Sequence, residues 1–204
     1  ISEIAVTSSG GTPSTTKKEY WDGNIPWINS GKLKDEYIYE PSRFITELGL
    51  KESSAKLFPV DTVVIALTGA TTGKLGYLKL ETTTNQSVTG IFPNKFINSK
   101  LLFYQLRNLR TEILSQALGS AQPHINKKIV DETIIKFPPL SEQNRLAAKL
   151  DALFAQLETI KASMAKVPLL LKDFRQQVLT QAVTGKLTEE WRKGKKLESS
   201  EELI

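Results

Sequence analysis

The chain is 204 residues long, with 40% apolar and 24% charged side chains, which suits one or two ordinary globular domains. It has no cysteine, so a disulfide framework and thiolate metal sites are excluded and an intracellular, cytoplasmic protein is the simpler expectation. No run of about 18 apolar residues offers a membrane span, no secretory leader is recognisable, and with Ile1 in first place a fragment or a processed chain is expected.

The net charge of +5 is a weak bias, spread as 16 Lys+Arg against 13 Asp+Glu over residues 1–140 and 11 against 9 over 141–204. Locally it is sharper. Between Lys95 and Lys128 six bases (Lys95, Lys100, Arg107, Arg110, Lys127, Lys128) stand against one acid, Glu112. Such a stretch either faces an anionic polymer or is a solvated helix face, and charge alone does not choose.

Residues 1–60 read as short strands broken by turns. Ser8-Ser9-Gly10-Gly11-Thr12-Pro13-Ser14 is a loop of residues that permit unusual backbone angles. A turn then falls between Tyr20-Trp21 and Ile25-Pro26-Trp27, where the two indoles are expected to serve the core or pin loops. Thr62-Val63-Val64-Ile65-Ala66-Leu67 is the strongest buried-strand signal. Gly69-Ala70-Thr71-Thr72-Gly73-Lys74 follows it and invites a phosphate-loop reading, which fails twice. Thr68 stands where the first glycine belongs, and Leu75 stands where Ser or Thr must follow the lysine. Because Leu75 to Leu80 is strand-like, the segment is expected to be a hairpin-type loop offering Thr71, Thr72 and Lys74 to a DNA backbone or base edge.

Asn98 to Leu118 has helical spacing, with Leu101, Leu102, Leu106, Leu109, Ile113, Leu114 and Ala117 in one stripe. The polar loop after it carries Ser120, Gln122, His124, Asn126, Lys127 and Lys128. Gln122 and Asn126 suit adenine, and Lys127 suits guanine or phosphate; a structural connector with His124 satisfied by its neighbours is the alternative. One histidine without a second, or a cysteine, makes no metal site, so no metal is expected. Ile129 to Phe137 reads as a strand.

After Pro138-Pro139, Ser141 is placed to cap a helix with Glu142 in its first turn. Apolar residues then recur at Leu146, Leu150, Leu153, Leu157, Ile160, Met164, Val167, Leu171, Phe174 and Val178, alternately four and three apart, which is a coiled-coil seam. Gly185 is placed to end it. The rhythm crosses Pro168 without losing phase, so one long kinked helix is expected ahead of a two-helix hairpin. A seam this long needs a partner: a second copy or a missing second half. No nucleotide loop, catalytic triad, methyltransferase element or nuclease acid pair is recognisable, and neither an enzyme nor a cofactor is expected.

Taken in order, Gly10-Gly11-Thr12-Pro13-Ser14, Tyr20-Trp21, Ile25-Pro26-Trp27, the Gly69–Lys74 loop, Asn85-Gln86, Gln122-Pro123-His124-Ile125-Asn126 and Phe137-Pro138-Pro139-Leu140-Ser141-Glu142-Gln143 form a set. Followed by the heptad helix and Thr184-Gly185-Lys186-Leu187-Thr188-Glu189-Glu190-Trp191-Arg192, the set resembles the DNA-specificity subunit (HsdS) of type I restriction-modification systems. The resemblance implies an α+β fold, with a mixed α/β target recognition domain over 1–139, a spacer helix over 140–185 forming a coiled coil, and a tail or linker over 186–204. It implies a non-catalytic protein that reads one half of a bipartite site in double-stranded DNA. Methyltransferase subunits, and restriction subunits through them, would dock on the helix and its Glu142-Gln143 flank. The candidate DNA-contacting residues are Thr71, Thr72, Lys74, Ser120, Gln122, His124, Asn126, Lys127 and Lys128, with Lys32, Lys34 and Arg43 as a further basic surface. Arg107 and Arg110 are expected to add phosphate contacts or none. The alternative is a coiled-coil interaction protein without DNA readout.

Overall fold

The computed structural model describes residues 1–117 and 124–195. The chain divides into two compact units, Ile1–Lys149 and a second that begins at Leu150.

The first unit holds two sheets. The larger has the order β1 (Thr7–Ser9), β9 (Val88–Ile91), β6 (Val63–Ala66), β7 (Leu75–Leu78) and β3 (Glu36–Ile38), antiparallel except for the β3–β7 pair. The smaller has the order β4 (Arg43–Ile45), β2 (Trp21–Ile28), β8 (Thr82–Thr84) and β5 (Leu57–Phe58), with β2 parallel to β8. Strand β6 is apolar at every position because both of its faces are covered. Val63 and Ile65 pack with Leu102, Phe103 and Leu106 of helix α2 (Ser99–Asn108) and with Ile113 of α3 (Arg110–Ser115). Val64 and Ala66 pack with Ile28, Phe58, Leu78 and Val88 of the neighbouring strands. A third cluster sets Tyr20, Trp21, Trp27 and Ile45 against Leu50 of α1 (Glu47–Lys51). A helix over Glu47–Lys51 is not among the sequence expectations; Thr46 caps it, its hydroxyl accepting from Gly49 N at 3.1 Å.

Three expectations are corrected, two here and one at the start of the long helix. The helix anticipated from Asn98 is two helices: Asn98 caps the first, and the chain leaves helical geometry at Leu109 (ψ 0°). Leu102, Leu106 and Ile113 stay in the core across the break, while Arg110 reaches back to the Gly73 carbonyl at 2.9 Å. The strand anticipated over Ile129–Phe137 is not formed. Asn126 accepts from Ile129 N at 3.0 Å and starts helix α4 (Lys127–Glu132), which buries Ile129 and Val130. A capping asparagine therefore outweighs a short β-branched run.

Helix α5 runs from Leu140 to Val183, 44 residues and about 66 Å at 1.5 Å per residue, without interruption at Pro168. It is one helix, as the unbroken heptad phase requires, and not a hairpin. Its first turn is closed by the Pro139 carbonyl, which accepts from Glu142 N and Gln143 N at 2.9 and 3.0 Å. Ser141 thus lies inside that turn rather than capping it. Gly185, at φ 71°, ends the helix as expected.

Gln143 fastens the start of α5 within the first unit. It is 2% exposed; its amide donates to the Phe96 and Pro138 carbonyls at 3.1 and 3.0 Å, and its carbonyl accepts from Asn98 N at 2.9 Å. Both amide hydrogens and the carbonyl of Gln143 are thus engaged within the first unit. Of the seam, Leu146 and Leu150 are half-buried, while the eight residues from Leu153 to Val178 are exposed, Met164 at 67% and Phe174 at 64%. Beyond Pro168 the apolar exposure widens to Leu169, Leu170, Leu179 and Val183. In the second unit, a 3-10 turn over Lys186–Thr188 and the short helix α6 (Glu189–Arg192) follow Gly185, with Lys195 Nζ 3.9 Å over the Trp191 ring.

Candidate nucleic-acid interface

Strand register brings four loops of the first unit to one rim. Because β2 and β8 run parallel with Ile28 opposite Thr84, the Asn29–Lys32 and Asn85–Ser87 turns leave side by side, and Asn85 N donates to the Ile28 carbonyl at 3.0 Å. Ser9 of β1 pairs with Thr89 of β9, so the Gly10–Ser14 loop departs beside the same turn; Gly10 N and Gly11 N donate to the Val88 and Thr84 carbonyls. The β6–β7 hairpin supplies the fourth loop, its 3-10 turn over Gly69–Thr71 lying against the turn over Ser30–Lys32. Thr68 Oγ1 donates to Ser87 Oγ at 2.9 Å and ties the hairpin to the β8–β9 turn. Finally, Ile125 N donates to the Leu67 carbonyl at 3.0 Å, which brings His124 and Asn126 to the end of β6.

Of the predicted residues, Lys32, Thr71, Thr72, Lys74, His124 and Asn126 therefore lie on these adjoining segments, but several are already engaged. Lys74 Nζ lies 3.0 Å from Asp35 Oδ2, and Arg110 grips the other oxygen of the same carboxylate. Asp35, with a side chain 9% exposed, sits at φ 67°, a left-handed conformation that aspartate tolerates better than most residues. It also exchanges two backbone contacts with Leu75, accepting from its N–H at 3.0 Å and donating its own N–H to its carbonyl at 2.8 Å. Burial alone would push the Asp35 carboxyl up; the Leu75 amide, Lys74 and Arg110 together hold it below the usual carboxylate range. The charge of Lys74 is thus spent on holding the hairpin to α3.

Thr72 is turned inward too, its hydroxyl donating to the Gly69 carbonyl at 2.7 Å, and Thr71 is half-buried. Gly69 (φ 81°) and Gly73 (φ 76°) bracket the turn in the left-handed region that glycine enters at little cost. Arg43 stacks at 4.2 Å over the Trp21 ring and lies 3.7 Å from Asp22. Asn126 spends its carbonyl on the α4 cap. Lys127 pairs with Asp131 at 2.6 Å, and Lys128 with Glu132 at 3.7 Å. For Asp131, burial raises the carboxyl, but the Lys127 ammonium and the Thr7 hydroxyl lower it further. The excess of base between Lys95 and Lys128 is therefore partly neutralised by acids from outside the window. His124 and Lys34 are exposed and Lys32 is half-buried; among the described residues neither Lys32 nor Lys34 forms a salt bridge. Ser120 and Gln122 lie outside the described residues.

Sequence reading missed Asp35, flanked by Lys34 and Glu36, whose role depends on a contact 75 residues away with Arg110. It also missed the Thr68–Ser87 and Thr12–Gln86 pairs, which join segments distant in the chain. Among the described residues no three or more of His, Asp and Glu converge as metal ligands would, and no helix is long and apolar enough to cross a membrane.

The family model for the type I restriction modification DNA specificity domain matches residues 1–169. The MjaIX specificity subunit of Methanocaldococcus jannaschii is 35% identical over 158 residues, covering 74% of this chain and 36% of that protein. The EcoKI specificity subunit of Escherichia coli K12 is 32% identical over 178 residues, covering 84% and 38%. The crystal structure of the HsdS subunit from Thermoanaerobacter tengcongensis shares the fold, with a TM-score of 0.67 at 22% identity over 89% of this chain and 43% of that one. The chain thus spans less than half the length of these relatives. With a match over most of its residues, the chain belongs to the type I restriction-modification DNA specificity family.

Proposed function

We propose that this chain reads one half of a bipartite DNA target and docks methyltransferase subunits, with restriction subunits joining through them. Residues 1–139 are the recognition domain, 140–185 the spacer helix and 186–204 a tail. The chain itself is non-catalytic and works in the cytoplasm. The observation that carries this reading is the single rim where loops of both sheets meet, linked by Thr68 and Ser87. Donor-rich loops held by a rigid sheet are how base edges and phosphates are met. The exposed seam from Leu153 to Val178 supports pairing with a second copy or a second half.

Thr71, His124, Ser120 and Gln122 serve base edges, and Thr72 and Asn126 do so through the lone pairs and amide left over from their internal bonds. Lys32, Lys34, Arg43, Lys127 and Lys128 serve phosphates. Lys74 contributes through the loop it holds. The test is a salt-dependent titration of the chain assembled with its methyltransferase subunits. Lys34→Ala should weaken binding to every duplex and lower the salt slope by about 1, whereas Lys74→Ala should leave the slope nearly unchanged. A coiled-coil protein without DNA readout would show equal affinity for all duplexes, or none, and that result would sink the proposal.

A further inference from the structure

The Gly10–Thr16 loop is built more rigidly than a connector needs. Trp21 Nε1 donates to the Ser14 carbonyl at 3.1 Å and Trp27 Nε1 to the Gly11 carbonyl at 3.3 Å, so two buried indoles fix the loop from beneath. Its glycines close the other side. A Cβ on Gly10 would lie 2.0 Å from Thr84 Oγ1, and one on Gly11 would lie 2.3 Å from Ser54. What this frame presents outward is a set of neutral polar groups. Ser14 and Thr16 share a hydrogen bond at 2.8 Å, and Thr12 Oγ1 donates to Gln86 Oε1 at 2.5 Å. Gln86 is exposed at the tip of the β8–β9 turn, next to Ser87, which Thr68 ties to the hairpin. No acidic residue occurs from Thr7 to Thr16 or from Thr82 to Lys95.

We infer that Thr12 and Gln86 form an uncharged phosphate-holding site that seats the DNA backbone beside the base-reading loops, an inference that rests on the proposed DNA reading. The chemistry selects phosphate over a base edge. Bidentate reading of adenine requires the glutamine carbonyl as well as its amide. Here the carbonyl is already tied to Thr12, and the amide of this exposed side chain is the donor without a partner among the described residues. A phosphate oxygen only accepts, and it asks for nothing more. Because the site is neutral, it adds affinity without displacing a cation from the DNA.

That last property makes the site testable in the chain assembled with its methyltransferase subunits, titrated with cognate and single-mismatch duplexes over a range of salt. Gln86→Ala and Thr12→Val should each lower affinity about 3- to 10-fold, equally on all duplexes, with an unchanged salt slope. Gln86→Lys should raise affinity on every duplex and steepen the slope by about 1, a gain that misfolding cannot produce. Loss of preference at one base pair in Gln86→Ala would make the residue a base reader and overturn the inference. So would affinities that none of the three changes moves. If the unaltered assembly shows no salt-dependent duplex binding, the DNA reading itself fails, before any variant is compared.

Discussion

Asp35 shows how much of the rim is held by a single side chain. Its carboxylate joins the end of the β6–β7 hairpin to Lys74 and, through Arg110, to α3. Asn tolerates the same left-handed backbone, so Asp35→Asn removes the charge while keeping the conformation. The folded carboxyl is held below its ordinary value, so its contribution is fully present above the unfolded value of about 3.9 and is lost as pH falls through the folded value. Asp35→Asn should therefore lower stability by about 1–3 kcal/mol at pH 7. Thermal melts of the two proteins should converge as the pH is taken below 4, and a gap that stays constant with pH would refute the charge-based role. None of this was legible beforehand: the residues around Asp35 are lysine and glutamate, and the deciding partner lies on a helix far along the chain.

At the scale of elements, what could be read was what periodicity encodes. Strand β6 and the inward stripe of α2 and α3 follow from apolar spacing, and α5 follows from a heptad phase that ignores Pro168. What failed were short segments, where one cap decides the outcome: Asn126 turned an apparent strand into α4, and the Pro139 carbonyl displaced Ser141 from the helix start. Long-range pairs such as Thr68–Ser87 leave no local trace, so the rim could be listed in part but not assembled.

Two predictions belong to α5. Its seam should drive self-association, since exposing apolar side chains costs about 25 cal/mol per Å2. Replacing both Leu153 and Ile160 with Asp should give a monomer by sedimentation, with the melting of the first unit unchanged. A wild-type chain that is already monomeric at micromolar concentration would contradict this. Gln143→Leu would leave the Phe96 and Pro138 carbonyls and the Asn98 amide without their partner, at about 1–3 kcal/mol for each buried group left unsatisfied. Melting should drop by several degrees, and an unshifted Tm would show that the start of α5 is held by other contacts.

As a whole molecule, the chain is proposed to confer sequence preference on an enzyme assembled around it. On its own the chain should hydrolyse no nucleotide and should neither methylate nor cut DNA. The direct measurement is mapping of methylated bases in DNA treated with the methyltransferase subunits together with this chain. The account predicts methylation confined to a two-part sequence with a fixed gap, one part of which loses definition when Thr71 and His124 are both replaced with Ala. Methylation scattered without a common sequence, or a pattern indifferent to those replacements, would contradict it.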